Sequence, residues 1–200
     1  MPRIPAVQED DLPSEYKILN KKDGKLPDEI DTDYWNEAST VGLIGNNKEL
    51  AKTHVYANTS VWVDSDLSLY EVELVIISVA RKLKSEFEWH AHSQIGINRA
   101  DIPVEVVKGV SRNDLSDLTD AHTALVEYVF EYVENGGEVE DETHDLLADH
   151  YDNEQLIGIT MLAGYYILID HMVSALQLGV GSEFVGWDLE NLPENHPRYG

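Results

Sequence analysis

Apolar residues recur at helical spacing over most of this chain. From Asn46 to Val63, Leu50, Val55, Ala57, Val61 and Trp62 fall on one side, and Asn46 or Asn47 can cap the start. Ser68-Leu-Tyr-Glu71 has capping-box form, which predicts a helix from about Leu69 to Lys84. A second helix should cover about Ser85 to Asn98, and a short one should begin near Ile102-Pro103, since proline is tolerated in a first turn. Between Asp117 and Glu134, Leu118, Ala121, Leu125, Val126, Val129, Phe130 and Val133 make one stripe that Gly136-Gly137 ends. A short acidic helix over Asp141–Tyr151 and a long, largely buried one over Asn153–Leu178 complete the pattern. No stretch alternates convincingly at period two and no internal repeat is visible, so the expected class is all-α.

The ends read differently. Residues 1–30, rich in Pro, Lys, Asp and Glu with scattered apolar anchors, predict an irregular N-terminal arm laid over the core. The expected organisation is this arm, a helical domain over 31–182 and an irregular tail over 183–200.

Charge changes the picture of the surface. Fourteen Lys and Arg against 38 Asp and Glu give a formal charge of -24, yet 42% of residues are hydrophobic and the aromatic count is substantial, so a folded, acid-coated protein fits better than disorder. No Lys or Arg occurs between Arg112 and Arg198. Acids spread in this way suggest adaptation to high salt, and they leave no basic surface for nucleic acid or an anionic membrane. The first residues carry no signal-peptide core, and Asp170-His171 interrupts the apolar run Leu156–Val180, so a soluble, cytoplasmic protein is expected. The absence of cysteine excludes disulfides, thiolate nucleophiles and Cys-ligated metals.

Four groups stand out as candidate chemistry. Glu73 lies within Val72-Glu-Leu-Val-Ile-Ile77, where a buried carboxylate must be paired or protonated; near a helix N-terminus it could instead remain partly solvated. Glu88 and His92 are four apart on one helix face, with Ser85 on the same face. A carboxylate holding an imidazole suits general acid/base work, while the plain alternative is a surface pair. His90 and His92 point to nearly opposite sides and cannot readily clasp one ion; a metal site would need Glu73, Glu88 and His92 together. Asp170-His171 needs partners within its apolar helix, as a core or interface pair or as part of a site.

The segment Glu73-Leu-Val-Ile-Ile-Ser-Val-Ala-Arg-Lys-Leu-Lys-Ser85-Glu-Phe-Glu88-Trp89-His-Ala-His92 resembles the signature of carboxymuconolactone decarboxylase-like proteins, in which an acidic residue and an apolar helix precede Tyr-Glu-Trp-x-x-His. Ala100-Asp-Ile-Pro-Val-Glu-Val-Val and Leu162-Ala-Gly-Tyr165-Tyr166 extend the resemblance. In the related alkylhydroperoxidase D branch the spacing is Glu-x11-Cys-x2-Cys-x3-His; Glu73, Ser85, Glu88 and His92 fall at those positions with both cysteines replaced, which contradicts a cysteine peroxidase. The resemblance implies an alkylhydroperoxidase D-like helical bundle assembled as a homotrimer or homohexamer. It also implies a small-molecule substrate, no cofactor and no metal. Glu73, Glu88 and His92 become the catalytic set, with Ser85 and Trp89 against the substrate. The implied reaction is loss of carbon dioxide from an unsaturated lactone acid, His92 supplying a proton, Glu88 orienting it and Glu73 steadying the oxyanion. The competing expectations are a non-catalytic oligomeric ligand-binding protein, or a metal-dependent enzyme using Glu73, Glu88 and His92.

Overall fold

A computed structural model describes residues 2–7 and 40–193. Among these residues there are eight α-helices and no strand: α1 (Thr40–Ile44), α2 (Lys48–Val63), α3 (Leu69–Leu83), α4 (Glu86–Arg99), α5 (Val104–Arg112), α6 (Asp120–Glu134), α7 (Asp141–Ala148) and α8 (Asn153–Leu176). The all-α class read from the sequence is what forms.

α3 is the axis of the bundle. Every residue from Val72 to Ala80 is buried, because α4, α5, α6 and α8 all pack around it. Its start is fixed by the expected capping box: Ser68 N donates to Glu71 Oε2 at 2.8 Å and Glu71 N donates back to Ser68 Oγ at 3.3 Å. Its end is abrupt. Lys84 turns left-handed at φ 55, and Ser85 then caps α4, accepting from Glu88 N at 3.4 Å. Two residues therefore reverse the chain into a tight hairpin of α3 and α4. Gly96 lets the pair close up, since a Cβ there would lie 3.0 Å from Ile77 Cδ1 and 3.1 Å from Ile102 Cδ1.

α8 lies against α3 on another side, its start held by a capping box between Asp152 and Gln155. By length and composition it could cross a membrane. In this fold it is a packing element, with Ile159, Leu162, Ala163, Tyr166, Ile169 and Val173 buried. Gly158 allows its close approach to the loop after α2: an added Cβ would sit 2.3 Å from the Ser65 carbonyl oxygen. The outer face leaves Ile157, Met161 and Leu168 exposed.

Several boundaries differ from the sequence reading. α1 was not expected, α6 begins at Asp120 rather than Asp117, and α7 stops at Ala148 instead of reaching Tyr151. Most of the expected arm, residues 8–30, lies outside the described residues, as do residues 31–39 of the expected helical domain. Residues 2–7 lack regular structure and are tied down, with Arg3 N donating to Leu176 O at 2.8 Å and Val7 N to Gly42 O at 2.9 Å. From Gly179 to Pro193 the chain is irregular but packed, and residues 194–200 of the expected tail lie outside the described residues. Val185 and Leu189 are buried, and Arg81 lies over the Trp187 ring.

Candidate active site

The α3–α4 hairpin brings Glu73 and Glu88 onto one imidazole. His92 Nδ1 lies 2.9 Å from Glu73 Oε2, and His92 Nε2 lies 3.2 Å from Glu88 Oε2. All three side chains are buried. The solvated alternative for Glu73 and the surface-pair alternative for Glu88 and His92 are both overturned. α4, α5, α6 and α8 pack around α3, so Glu73 in its second turn is enclosed although it stands near the helix start.

α8 adds a fourth group. Asp170 is 1% exposed and lies among Ser85, Glu88 and His92. Its neighbour His171 is exposed. The two do not act as a pair, since consecutive residues on a helix diverge by about 100°. Neither Asp170 carboxyl oxygen has a hydrogen-bond partner of good geometry, although Ser85 is near enough to influence its acidity. Glu73 Oε1 is likewise without a partner. Each such buried group costs about 1–3 kcal/mol of folding free energy, which a leucine at position 170 would not incur.

The electrostatics follow from burial opposed by mutual attraction. Burial works against a charged His92, but Glu73 and then Glu88 outweigh it and hold the imidazole protonated, its pKa pushed up to about 10. Burial pushes the Glu73 carboxyl above its usual range; His92 and Arg99 pull it back and Glu88 adds to the rise. Asp170 is raised to about 8, first by burial and then by the Glu88 charge, with Ser85 and His92 acting the other way. At neutral pH the cluster thus holds a cationic imidazole beside a neutral carboxylic acid, and its members titrate as a unit.

Two aromatic rings cover His92. Tyr166 meets it edge-on at 5.1 Å between centroids and Trp62 is tilted at 6.0 Å; Trp62 Nε1 donates to Tyr166 Oη at 2.9 Å. The resemblance placed Trp89 against the substrate. That side chain is fully buried, but it donates from Nε1 to Gly186 O at 2.9 Å and packs on Trp187, so it holds the C-terminal segment. Ser85 lies at the cluster, combining its capping role with proximity to Asp170. His90 points away, as its spacing implied. It accepts from Val185 N through Nδ1 and contacts Ser182 Oγ through Nε2.

The metal alternative is not supported by this geometry. Among the described residues no three His, Asp or Glu side chains are grouped to hold an ion. Both nitrogens of His92 are occupied by the very carboxylates that would be its co-ligands. A surface groove of about 590 Å³, bordered by Lys82, Leu115, Phe130 and Glu134, includes none of the cluster.

This arrangement of helices has solved counterparts. The debrominase Bmp8 in its apo form superposes with a TM-score of 0.74 at 14% identity, covering 95% of this chain and 97% of that one. A Bmp8 variant in complex with 2,3,4-tribromopyrrole gives 0.72 at 15%, covering 94% and 95%. The alkylhydroperoxidase AhpD core of an uncharacterized peroxidase-related protein from Ralstonia eutropha JMP134 gives 0.72 at 16%, covering 94% and 96%. The fold is alkylhydroperoxidase D-like. No protein-family model and no curated protein matches the chain in sequence. At these identities the likeness establishes the alkylhydroperoxidase D-like fold and leaves the chemistry to the residues present.

Proposed function

We propose that this chain is a cofactor-independent enzyme that transfers a proton on a small lactone or carbonyl acid, most concretely decarboxylating an unsaturated lactone acid. The observation that carries this reading is the buried His92 ring held at 2.9 and 3.2 Å by Glu73 and Glu88. A positive charge kept inside the core beside Asp170, an acid raised to about 8, is a proton store placed away from bulk water. Thiol-based peroxidase and reductive chemistry is closed to a chain without cysteine.

In the proposed reaction the bond to the departing carboxylate breaks and carbon dioxide leaves. The electron pair passes into an extended enolate, whose carbon then takes a proton from the cluster. The imidazolium stabilises the negative charge as it forms, and Glu88 fixes the ring. The uncommitted Glu73 Oε1 would donate to the enolate oxygen once its carboxyl takes up the proton it shares with His92 Nδ1.

A non-catalytic ligand-binding role within a homo-oligomer is the second reading, favoured by the burial of the whole cluster and by the exposed apolar stripe Ile157, Met161 and Leu168. The two are separated by following loss of 4-carboxymuconolactone by ultraviolet absorbance in molar potassium chloride, with His92→Gln alongside. Turnover that disappears in the variant supports the enzyme. An inactive, folded wild type that scatters light as a trimer or hexamer favours the second reading.

A further inference from the structure

Within the cluster, hydrogen-bonding capacity is unevenly committed. Both nitrogens of His92 face carboxylates, so neither can meet a substrate without breaking an existing contact. Glu73 and Glu88 each give one oxygen to the ring. Asp170 alone among the four has both oxygens uncommitted while being enclosed by the other members of the site. It comes from a different helix, α8, and approaches from the side of Ser85 and Glu88.

Its sequence setting points the same way. Asp170 is the one acid in the otherwise apolar stretch Tyr165-Tyr-Ile-Leu-Ile-Asp-His-Met172, and among the described residues neither of its oxygens has a hydrogen bond of good geometry, Ser85 alone standing near enough to donate. A structural carboxylate in such a place would be expected to have donors. His171, facing outward, does not supply one.

We propose that Asp170 is the residue of this site that hands the proton to the substrate, with His92 beside it as the charge that steadies the carboxylate left behind. The inference rests on the proton-transfer reading above and assigns its donor. The Asp170 O–H bond breaks as the enolate carbon forms its new C–H bond, leaving a carboxylate beside the His92 imidazolium. A proton from water entering as product leaves restores the acid while His92 stays protonated, so no redox partner is needed. The surrounding charges favour this order: Glu88 raises the proton affinity of Asp170, while His92 stabilises the carboxylate left after transfer. Ser85 can donate to that carboxylate, and Glu73 with Arg99 completes the charged environment on the far side of the ring.

The test compares wild type, Asp170→Asn and Asp170→Glu on 4-carboxymuconolactone, with folding checked by circular dichroism. Asp170→Asn should lower kcat by about 100-fold or more with KM changed by less than about threefold, as for loss of a general acid. The alkaline limb of the kcat–pH profile should vanish with it, and Asp170→Glu should restore part of the rate. An Asp170→Asn enzyme with wild-type kcat and an unchanged alkaline limb overturns the proposal.

If the wild type itself shows no turnover, the decarboxylase reading falls, and Asp170 is then judged by infrared difference spectra of wild type against Asp170→Asn. A protonated carboxyl band at neutral pH that exchanges promptly in D2O and changes in His92→Gln supports an exchangeable acid at Asp170 that feels the His92 charge. The absence of that band, or a band indifferent to His92, overturns it. Should Asp170→Asn fail to fold, Asp170→Leu, which removes the acid without leaving a buried polar group, provides the same kinetic and infrared comparisons.

Discussion

His92 Nδ1 lies 2.9 Å from Glu73 Oε2 across the α3–α4 hairpin, and with Glu88 on the other nitrogen the ring is the cation that makes two buried carboxylates tolerable. Removing one partner of a buried ion pair costs about 3–5 kcal/mol, since the other charge is left without compensation. His92→Gln should therefore be strongly destabilised in chemical denaturation. The deficit should be larger at pH 8 than at pH 5, because Glu73 escapes its isolation by taking up a proton and each pH unit adds about 1.4 kcal/mol to that step. Equal deficits at the two pH values would mean that the ring carries no charge the carboxylates need.

The raised groups also set the pH dependence of the wild type. Asp170 binds its proton more tightly folded than unfolded, which stabilises the fold at low pH and is lost as pH rises towards about 8. His92 does the same between its ordinary value and about 10. His54, buried against Tyr165, has the opposite sign: burial lowers it to about 4, so its contribution is lost as pH falls from 6.5 to that value. Below pH 6.5 the Asp170 and His54 slopes oppose each other. Above it Asp170 and His92 act together, each contributing about 1.4 kcal/mol per pH unit while it titrates. Urea denaturation from pH 4 to 10 should show a shallow dependence up to about 6.5 and a clear decline above. Stability that climbs from pH 7 to 9 would contradict these assignments.

What the sequence revealed followed the distance over which each signal acts. Ser68 and Glu71 announced the start of α3 because a capping box is complete within four residues. Glu88 and His92 were legible together because helical spacing places them on one face. Their link to Glu73 came through the resemblance, since facing positions on two helices leave no periodic trace. Asp170 was visible as an anomaly in an apolar helix, but its partners are set by how α8 lies on the hairpin. Trp62 and Tyr166 cover His92 from α2 and α8, and no local pattern distinguishes them from ordinary core aromatics, which is why the sequence reading named neither. α1 was missed because five residues, Thr-Val-Gly-Leu-Ile, are too few to show a period.

The position of Asp170 depends on how closely α8 approaches its neighbours, and Gly158 limits that approach. A methyl group there would meet the Ser65 carbonyl oxygen at 2.3 Å, and backbone on both sides gives it little room to retreat. Gly158→Ala should cost about 1–3 kcal/mol, as overpacking does, and lower Tm accordingly. Gly179→Ala is the control, since nothing lies within 4 Å of its added Cβ. A Gly158→Ala protein melting with the control would show that the loop after α2 yields freely.

The salt response follows from where the acids lie. Glu138, Glu140, Asp141, Glu142, Asp145, Asp149 and Asp152 are exposed along one short stretch around α7, and no Lys or Arg occurs between Arg112 and Arg198 to offset them. Ion pairs such as Lys82–Glu134 at 2.6 Å and Arg112–Asp188 at 2.8 Å lie at other points on the surface. We propose that the fold is adapted to concentrated salt, where the Debye length contracts from about 10 Å at 0.1 M to about 3 Å at 1 M and neighbouring carboxylates cease to repel strongly. Tm should rise substantially between 0.05 and 1 M potassium chloride. Because salt also strengthens apolar burial, the rise alone does not isolate charge. The combined substitution Glu142→Lys and Asp145→Lys does, since it relieves repulsion without touching the core and should raise Tm at low salt while flattening the salt dependence. A variant whose salt curve runs parallel to the wild type would assign the response to apolar burial and remove the acidic surface as its cause.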